Sequence, residues 1–254
     1  MSFVPSHLVS ESPQETLGAA TPRTAEKRCV AVQEGYERWA PTYDHDPNPL
    51  LALEERVLCR MLPRLAGKRV LDLACGTGRW LTRLMVWGAS SAVGVDFSAA
   101  MLAGAKGKPS LRNRLVQGDC RAIPFVPACF DLVIHSFAVG HIRDVANVAR
   151  EIRRVAAPSA DVYVSDLHPL AYEQGWHTGF RDDRGRVEIT TWPRSAQEFL
   201  ALWMTSGFDC VQAVDCRFGE PERRIFARAG KERLLDFFRP TPAVLICHFR
   251  RPVH

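Results

Sequence analysis

The sequence contains no Cys-x-x-Cys pair and no His-x-x-x-His, although it carries eight cysteines and eight histidines. The usual zinc frameworks are therefore excluded, and no metal is expected. Cysteines inside apolar runs, such as Cys75 and Cys247, behave as small hydrophobes. Free thiols in a reducing, cytoplasmic setting are the expectation. No window approaches 18 consecutive apolar residues, and no basic start followed by an apolar core opens the chain, so neither a membrane span nor secretion is expected. A dense basic block is also missing. The net charge of +5 comes from scattered arginines such as Arg153, Arg154, Arg223 and Arg224, which read as a solvated surface and make a nucleic-acid partner unexpected. At 46% hydrophobic and 24% charged residues, the 254-residue chain has the composition of a folded protein with a real core.

Residues 1–26 are rich in Ser, Thr, Pro and Glu without a sustained period, and are expected to form a flexible arm. Helix-forming stretches then flank a proline-rich break at residues 41–49. Leu50, Leu51, Leu53, Val57, Leu58 and Met61 have helical spacing and stop before Pro63. Residues 27–66 are read as a helical cap or lid, and residues 67–254 as the main domain. From there strands and amphipathic helices alternate: strands at 69–74, 92–95, 114–117, 130–136 and 161–167, with helices at 77–87, from 98, and through 143–157. Strands apolar nearly throughout, separated by such helices, indicate a parallel sheet covered on both faces. After residue 167 a polar segment with aromatics precedes a helix at 195–206. Two more strands, "FDCVQAVDCRF" and "AVLICHFR", flank a short helix at "KERLLDFFR".

The stretch "RVLDLACGTGRWLTRL" places a small glycine-rich turn between a strand and a helix. Gly76 and Gly78 can take positive φ and leave room for a ligand against the backbone. The helix start offers unpaired N–H groups to an anion. Dinucleotide, phosphate and carboxylate ligands all suit such a turn, but three further features narrow the choice. Asp72 sits in the strand two residues before the turn. The dinucleotide pattern fails, because its third glycine position is Leu81. Two more acids end strands: Asp96, placed 24 residues after Asp72, suits ribose hydroxyls, and Asp119 suits an exocyclic amine. Together these describe a nucleoside with a compact charged tail and no diphosphate.

The segments "VLDLACGTGRW", "VGVDFSAAML", "VQGDCRAIPF" and "FDLVIHSFAVGHIRD", in this order, resemble those of class I S-adenosylmethionine-dependent methyltransferases. The nearest resemblance is to the quinone-methyltransferase-like group, whose members carry a segment like "YERWAPTYD", residues 36–44 here. The resemblance covers residues 36–167. It implies an α/β, Rossmann-like doubly wound seven-stranded sheet with its last strand antiparallel and an N-terminal helical cap. It also implies S-adenosylmethionine as cofactor and S-adenosylhomocysteine as product. Carbonyls near Ala74 and Gly76 would hold the methionine ammonium beside Asp72, and Asp96 would take the ribose hydroxyls. Phe97 or Met101 would pack on adenine, whose amine would meet Asp119, with Cys120 offering a backbone N–H. Thr77, Gly78 and Arg121 complete the turn and the adenine side, and Ser136 would border the methyl group. Tyr36, Trp39 and Tyr43 would close over the sulfonium as an aromatic lid. Two positions depart from the family's pattern. Ala74 stands where the first glycine is expected, a mild change for a negative φ. "APSAD" replaces a Pro-Gly-Gly turn, which is expected to be rearranged because a non-glycine residue at positive φ costs about 1 kcal/mol.

The expected reaction is methyl transfer to a small organic acceptor, at oxygen, with carbon and nitrogen as alternatives. His141 and His168, both just past strand ends, are the candidate general bases. His135 lies inside a strand and is expected to be structural. Tyr43, His141, His168, Trp176 and His177 are the candidate acceptor contacts, the last two from a variable insert at residues 168–195. An RNA or protein methyltransferase and a non-catalytic S-adenosylmethionine-binding partner remain alternatives. The first lacks both an Asn/Asp-Pro-Pro-aromatic signature and an appended basic domain. A monomer or homodimer is expected, with no membrane partner.

Overall fold

The computed structural model describes residues 28–253, so the expected arm falls outside the described residues. Strand β1 (Arg28–Val30) leads to helices α1 (Val32–Trp39) and α2 (Pro49–Met61). Strands and helices then alternate in the expected order: β2 (Arg69–Leu73), α3 (Arg79–Val86), β3 (Ser91–Asp96), α4 (Ala99–Lys106), β4 (Leu115–Gln117), β5 (Phe130–Ser136), α5 (Val145–Val155) and β6 (Ala156–Leu167). The remaining elements are α6 (Pro169–Glu173), β7 (Gly179–Asp182), β8 (Gly185–Ile189), α7 (Ala196–Thr205), β9 (Asp209–Cys216), α8 (Arg223–Arg228), α9 (Leu234–Phe238) and β10 (Val244–Arg250).

The main sheet has seven strands in the order β4-β3-β2-β5-β6-β10-β9. Only β10 runs against its neighbours, as the resemblance implied. Period-two alternation sends successive residues of β2 to opposite faces. Val70 packs with Leu53, Trp80, Leu84 and Ile134 on one face. Leu71 and Leu73 pack with Val133, Val148 and Ile152 on the other. Both faces are covered, which is why these strands are apolar throughout. Strand order reverses between β2 and β5, and that is where an open sheet forms a crevice.

Helix α2 starts at Pro49 behind Asn48, whose side chain accepts from the Leu50 N–H at 3.0 Å. Its Leu50, Leu53 and Leu58 join the main core, so α2 packs on the sheet, while its Leu51 lines the crevice. The expected N-terminal helices flank the crevice, and a small sheet accompanies them. β1, β8 and β7 form a separate three-stranded sheet, with β1 parallel to β8 and β7 antiparallel to it. Helix α1 lies on that sheet, with Trp39, Phe180, Val187 and Ile189 buried between them. Gly35 permits this close approach, since a Cβ there would stand 2.6 Å from the Ile189 side chain. Arg28 and Arg38 both pair with Asp182, the first at 2.6 Å, and so tie α1 to the β7–β8 turn.

The two departures take unexpected forms. Ala74 has φ +58°, not the negative value expected. The backbone around it is fixed by others, with Cys75 N–H donating to the Val95 carbonyl and Gly76 N–H to Asp96. Alanine bears the strain. Ala74→Gly should therefore stabilise the fold by about 0.5–1 kcal/mol, because glycine's extra unfolded-state entropy offsets part of the relief. A thermal melt should show a rise of about 1–4 °C, and an unchanged or lower midpoint would contradict the assignment. In "APSAD" the strand continues through the expected turn. A register shift opposite Phe130 and Leu132 absorbs the extra residues, and Ser159 takes φ +62°.

Candidate functional site

A cavity of about 660 Å³ lies at the carboxyl ends of β2, β3 and β5. Its floor is the glycine turn, and its roof is Val32, Gln33 and Tyr36 of α1 together with Tyr43. Gly76 and Gly78 both have positive φ. A Cβ on Gly76 would stand 3.1 Å from Met101 Cε, so a side chain there would fill the cradle. Helix α3 has no side-chain cap of its own because its N-cap is Gly78. Asp72 supplies one from the strand, its Oδ2 accepting from the Leu81 N–H at 2.9 Å. Burial pushes the Asp72 carboxyl up to about 7, against this hydrogen bond and the charge of Arg79.

Asp96 is buried at the end of β3. Its Oδ2 accepts from the Gly76 N–H at 2.7 Å and its Oδ1 from the Ser98 N–H at 2.8 Å, so one carboxylate joins the glycine turn to the start of α4. Burial raises its pKa and those backbone bonds oppose the rise. Each oxygen keeps a second lone pair for a ligand. Met101 and Phe97 line the same end, Phe97 being 39% exposed and open to stacking. Asp119 and Cys120 line it too, but Asp119 is engaged by the Arg121 guanidinium at 2.6–3.0 Å, which holds its carboxyl below the usual range. Any donor group of a ligand that reached Asp119 would share it with Arg121.

Thr77 ties the cap to the turn. Its hydroxyl donates to Asp44 Oδ1 at 2.6 Å, and Lys108 bridges Asp44 Oδ2 at 2.8 Å and the Thr77 carbonyl at 2.7 Å. The last residue of "YERWAPTYD" thereby closes on the glycine loop.

His141 lines the cavity. Its Nδ1 lies 2.9 Å from the Thr190 carbonyl. A carbonyl can only accept, so Nδ1 carries the hydrogen and Nε2 the lone pair. Burial pushes its pKa down to about 4, so the ring is neutral near pH 7. The Tyr36 ring meets it edge-on at 5.4 Å. Thr190 follows β8, so the insert positions this histidine, and a second tie runs from the Trp192 N–H to the Gly140 carbonyl at 2.7 Å.

Other candidates lie elsewhere. The two nitrogens of His168 are both used structurally, Nδ1 accepting from the Leu170 N–H and Nε2 facing Asp215 at 3.1 Å, and the residue does not line the cavity. Trp176 is buried in the main core against Phe218 and Phe238. His177 is not at the cavity either. Trp39 stacks on Phe180 inside the cap and donates to Asp46 at 3.1 Å. His135 is fully buried in β5, its Nδ1 3.0 Å from the Leu73 carbonyl, in the structural position expected.

Sequence reasoning missed Glu54 and Arg79. Glu54, in α2, is fully buried and accepts from Ser136 Oγ at 2.6 Å, Trp80 Nε1 at 3.2 Å, Ser165 Oγ and Arg79 Nη2. Arg79 opens α3, lines the cavity and also donates to Ser136 Oγ at 3.2 Å. The signal was present: Glu54 shares a helical face with Leu50, Val57, Leu58 and Met61, where a lone acid needs a buried partner.

Residues 70–159 match the methyltransferase domain family. Over 165 residues the chain is 32% identical to the demethylmenaquinone methyltransferase of Roseiflexus sp. (strain RS-1), a match spanning 59% of this chain and 68% of that protein. It is 33% identical over 162 residues to the 2-phytyl-1,4-naphtoquinone methyltransferase of Thermosynechococcus vestitus, covering 58% of this chain and 71% of that one. The crystal structure of an S-adenosylmethionine dependent methyltransferase from Mesorhizobium loti superposes with a TM-score of 0.62 at 25% identity, over 80% of this chain and all of that chain. The chain belongs to the class I S-adenosylmethionine-dependent methyltransferases, related to the demethylmenaquinone and naphthoquinone methyltransferase-like enzymes that methylate small molecules.

Proposed function

We propose that this enzyme methylates a hydroxyl oxygen of a small planar aromatic acceptor, and that His141 takes the hydroxyl proton. The observation that carries this reading is the fixed, neutral His141 on the cavity wall, with Tyr36, Phe137 and Trp192 lining the same space. Bound S-adenosylmethionine would supply a methyl group on a sulfonium, which leaves as a neutral thioether. The chain's work is placement, worth about 7–11 kcal/mol when reacting atoms are held in line, and exclusion of water from the reacting atoms.

Asp96 would hold the ribose hydroxyls, Met101 and Phe97 the adenine ring, and Asp72 the amino-acid ammonium. The RNA, protein and non-catalytic alternatives give way to a small-molecule enzyme. No helix among the described residues is long and apolar enough to cross a membrane. The unpaired cysteines support a cytoplasmic location.

The relatives' names, which are those of demethylmenaquinone and 2-phytyl-1,4-naphtoquinone methyltransferases, support a second reading, in which the acceptor is a naphthoquinone-type ring and the methyl goes to carbon. Methyl-labelled donor offered with catechol, 1,4-naphthohydroquinone and tryptamine separates the outcomes. A labelled methyl ether supports oxygen, whereas a C-methyl or N-methyl product overturns it. Asp96→Ala should weaken donor binding by about 1.5–3 kcal/mol, and unchanged donor affinity in titration calorimetry would remove Asp96 from the ribose.

Donor affinity should also depend on pH. Asp72 takes up a proton as pH falls through about 7. A neighbouring ammonium favours the carboxylate form, so donor binding releases that proton. Affinity is expected to plateau above pH 7 and to fall by up to about tenfold per unit below it. Asp72→Asn should abolish the slope, and a slope surviving in that variant would contradict the assignment.

A further inference from the structure

The backbone that carries His141 is held mostly from outside itself. It forms a single 3₁₀ turn, Val139–His141, too short to keep its own shape. The Gly140 N–H donates to Asp166 Oδ2, and the Gly140 carbonyl accepts from the Trp192 N–H at 2.7 Å. Arg194 gathers four more carbonyls. Its Nη2 donates to those of Ile142 and Arg143 at 2.8 and 2.9 Å, and its Nη1 to those of Trp192 and Val139 at 2.9 and 3.4 Å. We propose that Arg194 is the positioning residue of His141: its guanidinium clamps the turn to segment 190–194, which holds the ring on the Thr190 carbonyl and leaves Nε2 for the acceptor. The inference rests on the reading of His141 as the base and names what aims it.

Arginine suits this work because its rigid planar fork can meet four carbonyls at once, whereas a lysine ammonium is a point charge with three donors. Among the described residues the hydrogen bonds of Arg194 all go to backbone carbonyls. Burial lowers its pKa, and the charges of Asp166 and Glu198 act against that. Asp166 is itself fixed, being buried at the end of β6 and accepting from the Leu167 N–H at 2.7 Å. The turn is therefore gripped from two sides, by Asp166 on the sheet and by Arg194 on the insert. Gly140 permits so close a seat, since a Cβ there would stand 2.4 Å from the Tyr172 hydroxyl and 3.3 Å from both Asp166 oxygens. Trp192 and His141 both line the cavity, so the same clamp joins them into one wall. The donor end of the cavity shares none of these bonds, because Asp96 is tied to Gly76 and Ser98.

The test reads which nitrogen of the His141 ring carries the hydrogen, by nitrogen-15 NMR of the histidine-labelled full chain at about pH 8, above the range in which imidazole charges. The His141 signals are those missing from His141→Ala. The wild type should favour the Nδ1–H form at least about fivefold, the worth of one hydrogen bond. In Arg194→Met the ratio should fall to about unity or reverse, because an unconstrained imidazole prefers the Nε2–H form. His135, whose Nδ1 faces the Leu73 carbonyl inside β5, should not change. S-adenosylhomocysteine, titrated calorimetrically, should bind the variant within about threefold of wild type, as expected of separate sites. Arg194→Lys keeps the charge opposite Asp166 and loses the fork, so it should behave as the methionine variant does, and it carries the test if Arg194→Met fails to fold. A wild-type tautomer ratio in either variant overturns the proposal and leaves His141 standing as the base. Loss of donor binding in parallel with the tautomer also overturns it, because Arg194 would then support the whole fold. A His141→Ala enzyme turning over at the wild-type rate would remove the base, while the altered tautomer would still show that Arg194 aims the ring.

Discussion

Replacing Glu54 by alanine is expected to destabilise the fold by about 3–5 kcal/mol, the cost of breaking a buried ion pair from one side. Four donors converge on this fully buried carboxylate, from α3, β5 and β6. Alanine leaves the Arg79 cation without its partner and the indole and two hydroxyls without an acceptor. In a chain of this size the loss should lower the melting point by about 6–20 °C. Arg79→Met together with Glu54→Leu should recover most of it, because the desolvation penalty of both ions disappears along with their attraction. Urea unfolding of the single and double variants measures the coupling. A loss below about 1 kcal/mol for Glu54→Ala would mean that water reaches this cluster.

Glu54 also shows how far the sequence could be read. The alternation of strands and helices was legible because both faces of the main sheet are covered, which leaves long apolar strands between amphipathic helices. The glycine turn and Asp96 were legible because backbone crowding and a strand-end acid leave their marks on residue type. Ala74 was misjudged for the opposite reason. Its φ is imposed by hydrogen bonds of Cys75 and Gly76, which residue identity at position 74 does not report.

The cap sheet was illegible for a different cause. Its apolar content is little more than Phe180, Val187 and Ile189 among charges, and β1 pairs with β8, which is remote from it in sequence. Such pairing has no local pattern. His168 illustrates a third limit. Its place at the end of β6 was read correctly, but the direction of its side chain was not. The ring turns to the start of α6 and to Asp215, away from the cavity.

His141→Ala is expected to lower kcat by about 10²–10⁴-fold, the usual worth of a positioned general base, with the donor dissociation constant changed by less than about threefold. The ring does not need to lose a proton first. Its Nδ1–H is held by the Thr190 carbonyl, and burial depresses its pKa to about 4, so the Nε2 lone pair is available throughout the neutral range. The sign follows directly. A depressed pKa means the basic form is lost only as pH falls through about 4, so this group should leave kcat flat from pH 6 to 9. So weak a base suits an acceptor hydroxyl that becomes acidic as its oxygen gains the methyl group, and an aromatic hydroxyl meets that demand better than an aliphatic alcohol does. Steady-state rates across pH for wild type and variant test both halves. An alanine variant turning over at the wild-type rate would remove His141 as the base. An acidic limb near pH 6.5 that vanishes in the variant would place the ring in water rather than against Thr190.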